Sequence, residues 1–218
     1  MELAWAFADF GDEDKIRRYL AIKPEDAPVN SAKMFLAICG VIGLGTLINQ
    51  GKLHYLKQLR QFASDSRWRI REAVAMALQR IGDENIELLL KEAEEWSRGN
   101  LYEKRAAVAA LCEPRLLKAQ KVAASTLDIL DQVTTSFANL QNRKSDDFEA
   151  LKKGLAYSWS VAVAAFPEKG KKLFEKWVKS KDKDVNWVMK QNLKKNRMAK
   201  MDKEWVSNQL DQRIAFMQ

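Results

Sequence analysis

The chain has 218 residues, 47% of them hydrophobic and 30% charged, a composition that argues against intrinsic disorder and favours a folded protein with a sizeable core. Its 9 Gly and 4 Pro leave long stretches without a helix breaker, which favours helices over many short strands. The one histidine, His54, and the two cysteines, Cys39 and Cys112, lack the spacing of a metal site or a disulfide framework. We therefore expect no metal, no cofactor and two buried free thiols.

The formal net charge of +8 comes from one C-terminal segment. Residues 167–203 hold 13 Lys and Arg against 5 Asp and Glu, whereas the remaining residues hold 24 of each sign. This asymmetry predicts an acidic macromolecular partner, either nucleic acid or protein. A basic face that is merely solvated is the alternative interpretation.

The first third of the chain predicts four helices, over residues 2–10, 12–22, 31–49 and 51–64. Gly11 ends the first helix, and acidic residues suit the start of the second. The N-terminus lacks the basic start of a signal peptide, so the expected location is the cytoplasm.

The helix predicted over residues 31–49 is the most apolar part of the sequence. Its apolar run, residues 34–48, is shorter than the roughly 20 residues that a membrane span needs, so we expect a buried core helix and no membrane partner. Gly40 and Gly43 in this run predict the close approach of two helices. A phosphate-binding loop is the alternative, but no Gly-Lys-Ser or Gly-Lys-Thr follows these glycines.

The most regular pattern lies in DSRWRIREAVAMALQRIG, residues 65–82. Gly82 is predicted to stop this helix, and residues 83–99 predict the second helix of the pair. Six apolar side chains fall on one arc of the helical wheel: Ile70, Ala73, Val74, Ala77, Leu78 and Ile81.

The same plan recurs along the chain. Lys104 stands at the position of Arg71 in one echo, and Trp187 stands at the position of Trp68 in another. Helix pairs recur at roughly 35–40 residues, which is the period of helical-repeat solenoids. The remaining predicted helices cover residues 100–111, 113–140 (one helix or two), 147–166, 167–180, 182–198 and 203–217.

Where D…WRIREAVAMAL and its echoes align, the chain resembles the HEAT-repeat superfamily, from about residue 12 onward. The resemblance implies an all-α, right-handed superhelix of about five or six helix pairs, as a single domain over residues 1–218. In such repeats an Asp at the turn and an Arg in the second helix bridge neighbouring units. The resemblance therefore assigns Asp65 and Arg71 to a structural ladder.

A basic ridge is predicted on the last part of the solenoid. On the wheel for residues 182–198, the inner arc holds Val185, Val188, Met189, Asn192, Leu193 and Asn196. Lysines attract phosphates and an aromatic ring can stack on a base, so the opposite side predicts a surface for an anionic partner. A solvated face with one Trp packed on the next helix is the alternative. The ridge consists of Lys183, Trp187, Lys190, Lys194 and Arg197.

The size, basic balance and C-terminal KKNR of the chain also resemble the helical-repeat DNA glycosylases that remove alkylated purines. The resemblance implies a cleft lined by Trp residues and an Asp that stabilises the developing sugar cation, for which Asp128 and Asp131 are the nearest counterparts. Leu127 stands where the family pattern has an aromatic residue. We therefore expect a non-catalytic binding or scaffold module that holds an acidic partner, with the glycosylase as the alternative.

Overall fold

The computed structural model describes residues 2–216 and, among side chains, those of residues 2–211. The all-helical prediction is confirmed, since this part of the chain contains helices and no strand. The thirteen α-helices are α1 (Glu2–Phe10), α2 (Glu13–Leu20), α3 (Ala32–Asn49), α4 (Tyr55–Phe62), α5 (Trp68–Glu84), α6 (Ile86–Ser97), α7 (Leu101–Leu111), α8 (Gln120–Ala138), α9 (Asp146–Ala165), α10 (Pro167–Val178), α11 (Lys183–Leu193), α12 (Asn196–Met201) and α13 (Lys203–Phe216).

The helices group into two compact units. Unit 1 extends to Glu92 and unit 2 begins at Ala93. In unit 1, α3 packs against α1, α2, α4 and α5. By length and composition alone α3 could cross a membrane, but 67% of the stretch is buried in the protein, as expected of a core helix.

Two glycines allow α2 to approach α3 closely. A Cβ atom at Gly40 would lie 3.0 Å from the backbone of Leu20, and one at Gly43 would lie 2.8 Å from the side chain of Ile16. The close approach predicted for these glycines is therefore confirmed. Because both lie inside a continuous helix, they do not form the phosphate-binding loop that was the alternative.

Helix α5 buries the predicted arc, whose six residues are each at most 1% exposed. The predicted stop at Gly82 is wrong, because the helix continues to Glu84. Asn85 ends it with a non-helical backbone, and its side chain accepts a hydrogen bond of 3.0 Å from the Leu88 N–H in the first turn of α6. The boundary is thus set by the cap of the next helix.

In unit 2, alternate helices run parallel in two rows. Along α9 and α11, Asp184 contacts Lys152 and Asn192 contacts Leu155, so residue numbers increase together in the two helices. The Ser158 hydroxyl of α9 donates a hydrogen bond to the Val108 carbonyl of α7, so α7 lies beside α9. Helices α8, α10 and α13 form the second row through side-chain contacts that also advance together.

Two predicted helices are shorter than expected. In the segment 113–140 the helix begins only at Gln120, and Pro114 lies in the turn that precedes it. The helix predicted over 182–198 ends at Leu193, and α12 follows after a break. The break turns the chain so that Met198 is buried, while Asn196, expected on the inner arc, is exposed.

Candidate anion-binding surface

The break after α11 divides the predicted ridge. Lys183, Trp187 and Lys190 lie exposed on α11, and the exposed Lys194 follows the last residue of that helix. Arg197 belongs to α12 instead. The five residues therefore do not share one helical face. Three of them are exposed on α11, as predicted, and Lys194 is exposed directly after it.

Trp187 rests on α9. The Lys152 ammonium lies 5.0 Å from the centroid of the Trp187 rings, yet 39% of the residue stays exposed. A ring with a cation on one side and solvent on the other keeps surface available for a ligand. The structure thus combines the two interpretations of this residue, since Trp187 packs on a neighbouring helix and still faces solvent.

The tyrosine of α9, Tyr157, is a second exposed ring that the sequence analysis missed. Tyr157 is 45% exposed, and the Arg197 guanidinium lies 4.5 Å from its ring centroid and donates a hydrogen bond of 2.7 Å to its hydroxyl. The Lys195 ammonium lies 5.7 Å from the same centroid. The signal was an aromatic residue at a position off the apolar arc of the helix predicted over 147–166.

A network of charged side chains joins α11 to α9 and to the loop before α9, and it reaches Trp187 through Lys152. Asp184, only 7% exposed, accepts from Arg143 at 2.9 Å and from Lys152 at 2.8 Å. Burial alone would raise the pKa of Asp184, but the hydrogen bonds from Lys152 and Arg143 outweigh burial and lower its pKa. Arg143 also pairs with Asp182 at 2.6 Å and donates to the Ala138 carbonyl at the end of α8.

The acids at the start of α11 are paired with cations from outside this helix, while the lysines of α11 have no such partner in the described part of the chain. Asp182 and Asp184 pair with cations of α9 and of the loop before it, and Asp202 pairs with Lys171. Among the described residues, three lysines of α11 and its C-terminus form no ion pair, so the local excess of positive charge faces solvent. These lysines are Lys183, Lys190 and Lys194.

Asp131, one of the two proposed catalytic aspartates, is held between α8 and α10. Its carboxylate accepts from the Lys176 ammonium at 2.9 Å and from the Trp177 indole N–H at 2.7 Å. Trp177 is only 7% exposed, and Lys176 covers its ring at 4.6 Å. The other aspartate, Asp128, pairs with Lys169 of α10 at 2.6 Å.

A related arrangement, with two carboxylates in place of one, lies between α10 and α13. The Trp205 indole N–H donates to Glu175 at 2.7 Å, and Lys171 lies 5.5 Å from the Trp205 ring centroid while it pairs with Asp202 at 2.5 Å. A carboxylate, a lysine and a tryptophan thus join successive helices of this row twice. The recurrence gives Asp131 a structural function between helices that do not carry the basic residues of α11.

The proposed ladder in unit 1 involves an arginine that the sequence analysis did not select. Arg67 binds the Asp65 carboxylate with two nitrogens, at 2.7 and 2.9 Å, and donates to the Ile22 carbonyl at 2.9 Å. Arg71 donates to the Asp65 backbone carbonyl at 2.6 Å. Arg67 therefore carries the long-range contact, while Arg71 binds the turn before its own helix.

One echo of the repeat preserves this turn contact. The Lys104 ammonium donates to the Gly99 carbonyl, five residues before it, just as Arg71 donates to the Ser66 carbonyl at 3.0 Å. Trp187 does not reproduce the place of Trp68 relative to the helix start. Helix α5 begins at Trp68, whereas α11 begins four residues before Trp187.

The two cysteines and the histidine are not part of this surface. Cys39 and Cys112 are buried, and burial raises the pKa of the Cys112 thiol to about 12, which keeps it protonated. His54 lines a cleft of about 460 Å³ in unit 1, where the Tyr55 hydroxyl donates to Glu13 at 2.5 Å. Within the described residues, no group of three or more His, Cys, Asp or Glu could hold a metal ion.

Comparison of the chain with protein-family models, with curated proteins and with solved structures finds no match. The geometry of the chain itself must therefore support any functional proposal. Its most informative feature is the surface formed by Tyr157, Lys195 and Arg197 together with Lys183, Trp187, Lys190 and Lys194, which we call the anion face.

Proposed function

We infer that the protein is a non-catalytic binding module with a HEAT-like, right-handed αα-superhelix. The two parallel rows of unit 2 support this architecture, because successive helix pairs of a solenoid repeat each helix direction. In unit 1 the contacts of Gly45 with Ala77 and of Thr46 with Arg80 likewise run in parallel along α3 and α5. Contacts of α3 with α4, of α7 with α8 and of α9 with α10 support helix pairs as the repeating element within each unit.

The module holds an acidic macromolecule on its anion face. One observation carries this proposal: among the described residues, three exposed lysines without ion pairs lie on the same side of α11 as the exposed Trp187, and the exposed Tyr157 of the adjacent α9 lies against Arg197 and Lys195. A single exposed aromatic residue is normal on a protein surface, but here two of them lie beside cations on adjacent helices. Lysines supply attraction to an anionic polymer, and the rings add contact area that would otherwise remain exposed to water.

A titration with charge variants tests this proposal. We expect a labelled nucleic acid to bind in fluorescence anisotropy at about 50 mM salt and to bind far more weakly at about 200 mM salt. The variant K183Q/K190Q/K194Q is expected to lose most of this affinity. The matched control K23Q/K33Q/K57Q removes three exposed lysines of unit 1 and is expected to bind like the wild type. Equal loss in both variants would contradict a localised anion face.

Base excision at Asp131 is the second candidate function. The contact of its carboxylate with the indole of Trp177 and the ammonium of Lys176 supports it, because the proposed chemistry needs an acid near an aromatic ring and a cation. This candidate requires release of alkylated purines from duplex DNA, measured by strand cleavage at the abasic product. The release should disappear in D131N. Absence of any release by the wild type would exclude it.

A further inference from the structure

We propose that the acidic partner is a single-stranded nucleic acid, whose bases stack on Trp187 and Tyr157 while its phosphates follow the lysines of α11. This inference rests on the proposed function and narrows it to one class of polymer. The observation behind it is that the two large aromatic residues left exposed among the described residues of unit 2, Trp187 and Tyr157, both lie beside cations of the C-terminal segment or of α9.

The two rings lie on adjacent helices, Trp187 on α11 and Tyr157 on α9. Lys152, which contacts Trp187, precedes Tyr157 on α9 by five residues, a rise of about 7.5 Å and a turn of about 140° around the helix axis. Trp187 has one cation near its ring and Tyr157 has two, and both residues stay exposed. Two bases of one strand could therefore find separate rings, with the cations below each ring reinforcing the stack.

The lysines extend along α11 beside the rings. From Lys183 to Lys190 the helix rises by about 10 Å, and from Lys190 to Lys194 by about 6 Å. A positive line of this length fits several phosphates of one strand. Because Asp182 and Asp184 are already paired with other cations, no acid of α11 neutralises this line.

The rings distinguish the candidate polymers. In a duplex the base faces are stacked inside, so only phosphates and groove edges would meet the protein, and open aromatic faces would add little. An acidic peptide would satisfy the lysines with carboxylates but offers no flat aromatic surface of its own. The unstacked bases of a single strand can stack on the rings while its phosphates contact the lysines. Such base–aromatic stacking is tolerant of sequence.

The experiment compares three labelled probes at about 50 mM salt: an oligothymidylate of about 12 nucleotides, a duplex of the same length and poly-glutamate. The protein variants are W187A, Y157A, K183Q/K190Q/K194Q and a matched control, W68A. Trp68 is an exposed tryptophan of unit 1 that also lies beside an arginine, Arg69, at 4.5 Å. Circular dichroism and thermal unfolding establish that each variant is folded.

We expect the single strand to bind more tightly than the other two probes. W187A and Y157A should each weaken single-strand binding by about 5- to 100-fold and weaken duplex and poly-glutamate binding much less. Quenching of tryptophan fluorescence by the oligonucleotide should shrink in W187A and persist in W68A.

Two failures are distinguishable. If all probes bind through the lysines but the ring variants match the wild type, or if poly-glutamate or duplex binds more tightly, the single-strand proposal is overturned while the proposed anion face stands. If no probe binds the wild type at low salt, both fall.

Discussion

Asn192 is the polar residue on which the packing of α9 against α11 most depends. It is fully buried, accepts from the Ser160 N–H at 2.8 Å and donates to the Leu155 carbonyl at 2.9 Å. These two backbone groups lie inside α9, so the amide side chain of one helix completes the hydrogen bonding of the next. Its removal breaks the hydrogen bonds that join the two helices at this buried site.

We expect N192L to reduce the free energy of unfolding by about 2–4 kcal/mol, because the hydrogen bonds between α9 and α11 are lost at a fully buried site. Urea denaturation followed by tryptophan fluorescence measures this. N196A, which changes an exposed asparagine on the next helix, should stay within about 0.5 kcal/mol of the wild type. Similar stability of the two variants would show that the interhelix amide contributes little.

Asp184 makes stability depend on pH. Its pKa lies below the ordinary value of 3.8, so the folded state favours the ionised form. The stabilisation is therefore complete at neutral pH and is lost as the pH falls below about 4 and through the lowered pKa. D184N should cost about 3 kcal/mol at pH 7, since it removes one side of a buried ion network.

The stability of D184N measured at acid pH provides the control for this prediction. As the pH falls through the lowered pKa, the wild-type carboxyl becomes neutral too, so the stability difference between D184N and the wild type should shrink. Unfolding curves across the acid range would show this convergence. A difference that stays constant down to the acid limit would mean that the charge of Asp184 does not stabilise the fold.

The contacts of Asp131 with Trp177 and Lys176 lead to a separate prediction about stability. D131A should reduce the free energy of unfolding by about 1–2 kcal/mol, because an ammonium and an indole N–H lose their acceptor at a partly exposed site. D128A removes only a more exposed ion pair and should cost less than about 1 kcal/mol. Equal effects would argue against the indole hydrogen bond as the stabilising contact.

At the scale of helices, substitution of two glycines by Ala is expected to change stability in opposite directions. A Cβ atom at Gly45 of α3 would lie 2.6 Å from the Ala77 carbonyl oxygen of α5, a backbone atom that cannot move aside. G45A should therefore destabilise the protein by about 1–2 kcal/mol in spite of the better helix propensity of Ala. At Gly154 the nearest atom is the flexible Arg105 side chain at 3.2 Å, so G154A should be neutral or stabilising by up to about 1 kcal/mol.

How far the sequence predicts a helix depends on which residues set its ends. The buried arc of α5 follows directly from apolar periodicity, since every residue of it packs inward. The end of α5 does not follow from this periodicity. The sequence predicts a stop at Gly82, whereas α5 continues to Glu84 because Asn85, which caps α6, sets the boundary. The break after Leu193 was missed for a related reason: burial of Met198, a tertiary contact, redirects the chain.

The candidate surface was predictable only where it depends on one helix. Exposure of Lys183, Trp187 and Lys190 follows from the wheel of α11. The role of Tyr157 does not, because its partners Arg197 and Lys195 come from a different part of the chain and meet it only in the folded protein. Arg67 was missed likewise, since its contact with Ile22 spans two helix pairs.

At the scale of the whole molecule, the charge distribution has a structural explanation. Acidic and basic residues balance over most of the chain, and Asp182 and Asp184 of the C-terminal segment are paired with cations that support the packing of α9 and α11. Three of the described lysines without an ion pair, Lys183, Lys190 and Lys194, lie along α11 and at its end on the same side as Trp187. Net charge concentrated on a surface in this way accelerates and strengthens the association of an anionic polymer.

The salt dependence of binding is the most direct measurement of this proposal. For the wild type, the logarithm of the association constant for a labelled single strand should fall linearly with the logarithm of salt concentration. K183Q/K190Q/K194Q should bind more weakly with a slope reduced by about 2, since each lost phosphate contact contributes about 0.7. An unchanged slope and affinity in this variant would contradict the claim that these three lysines hold the partner.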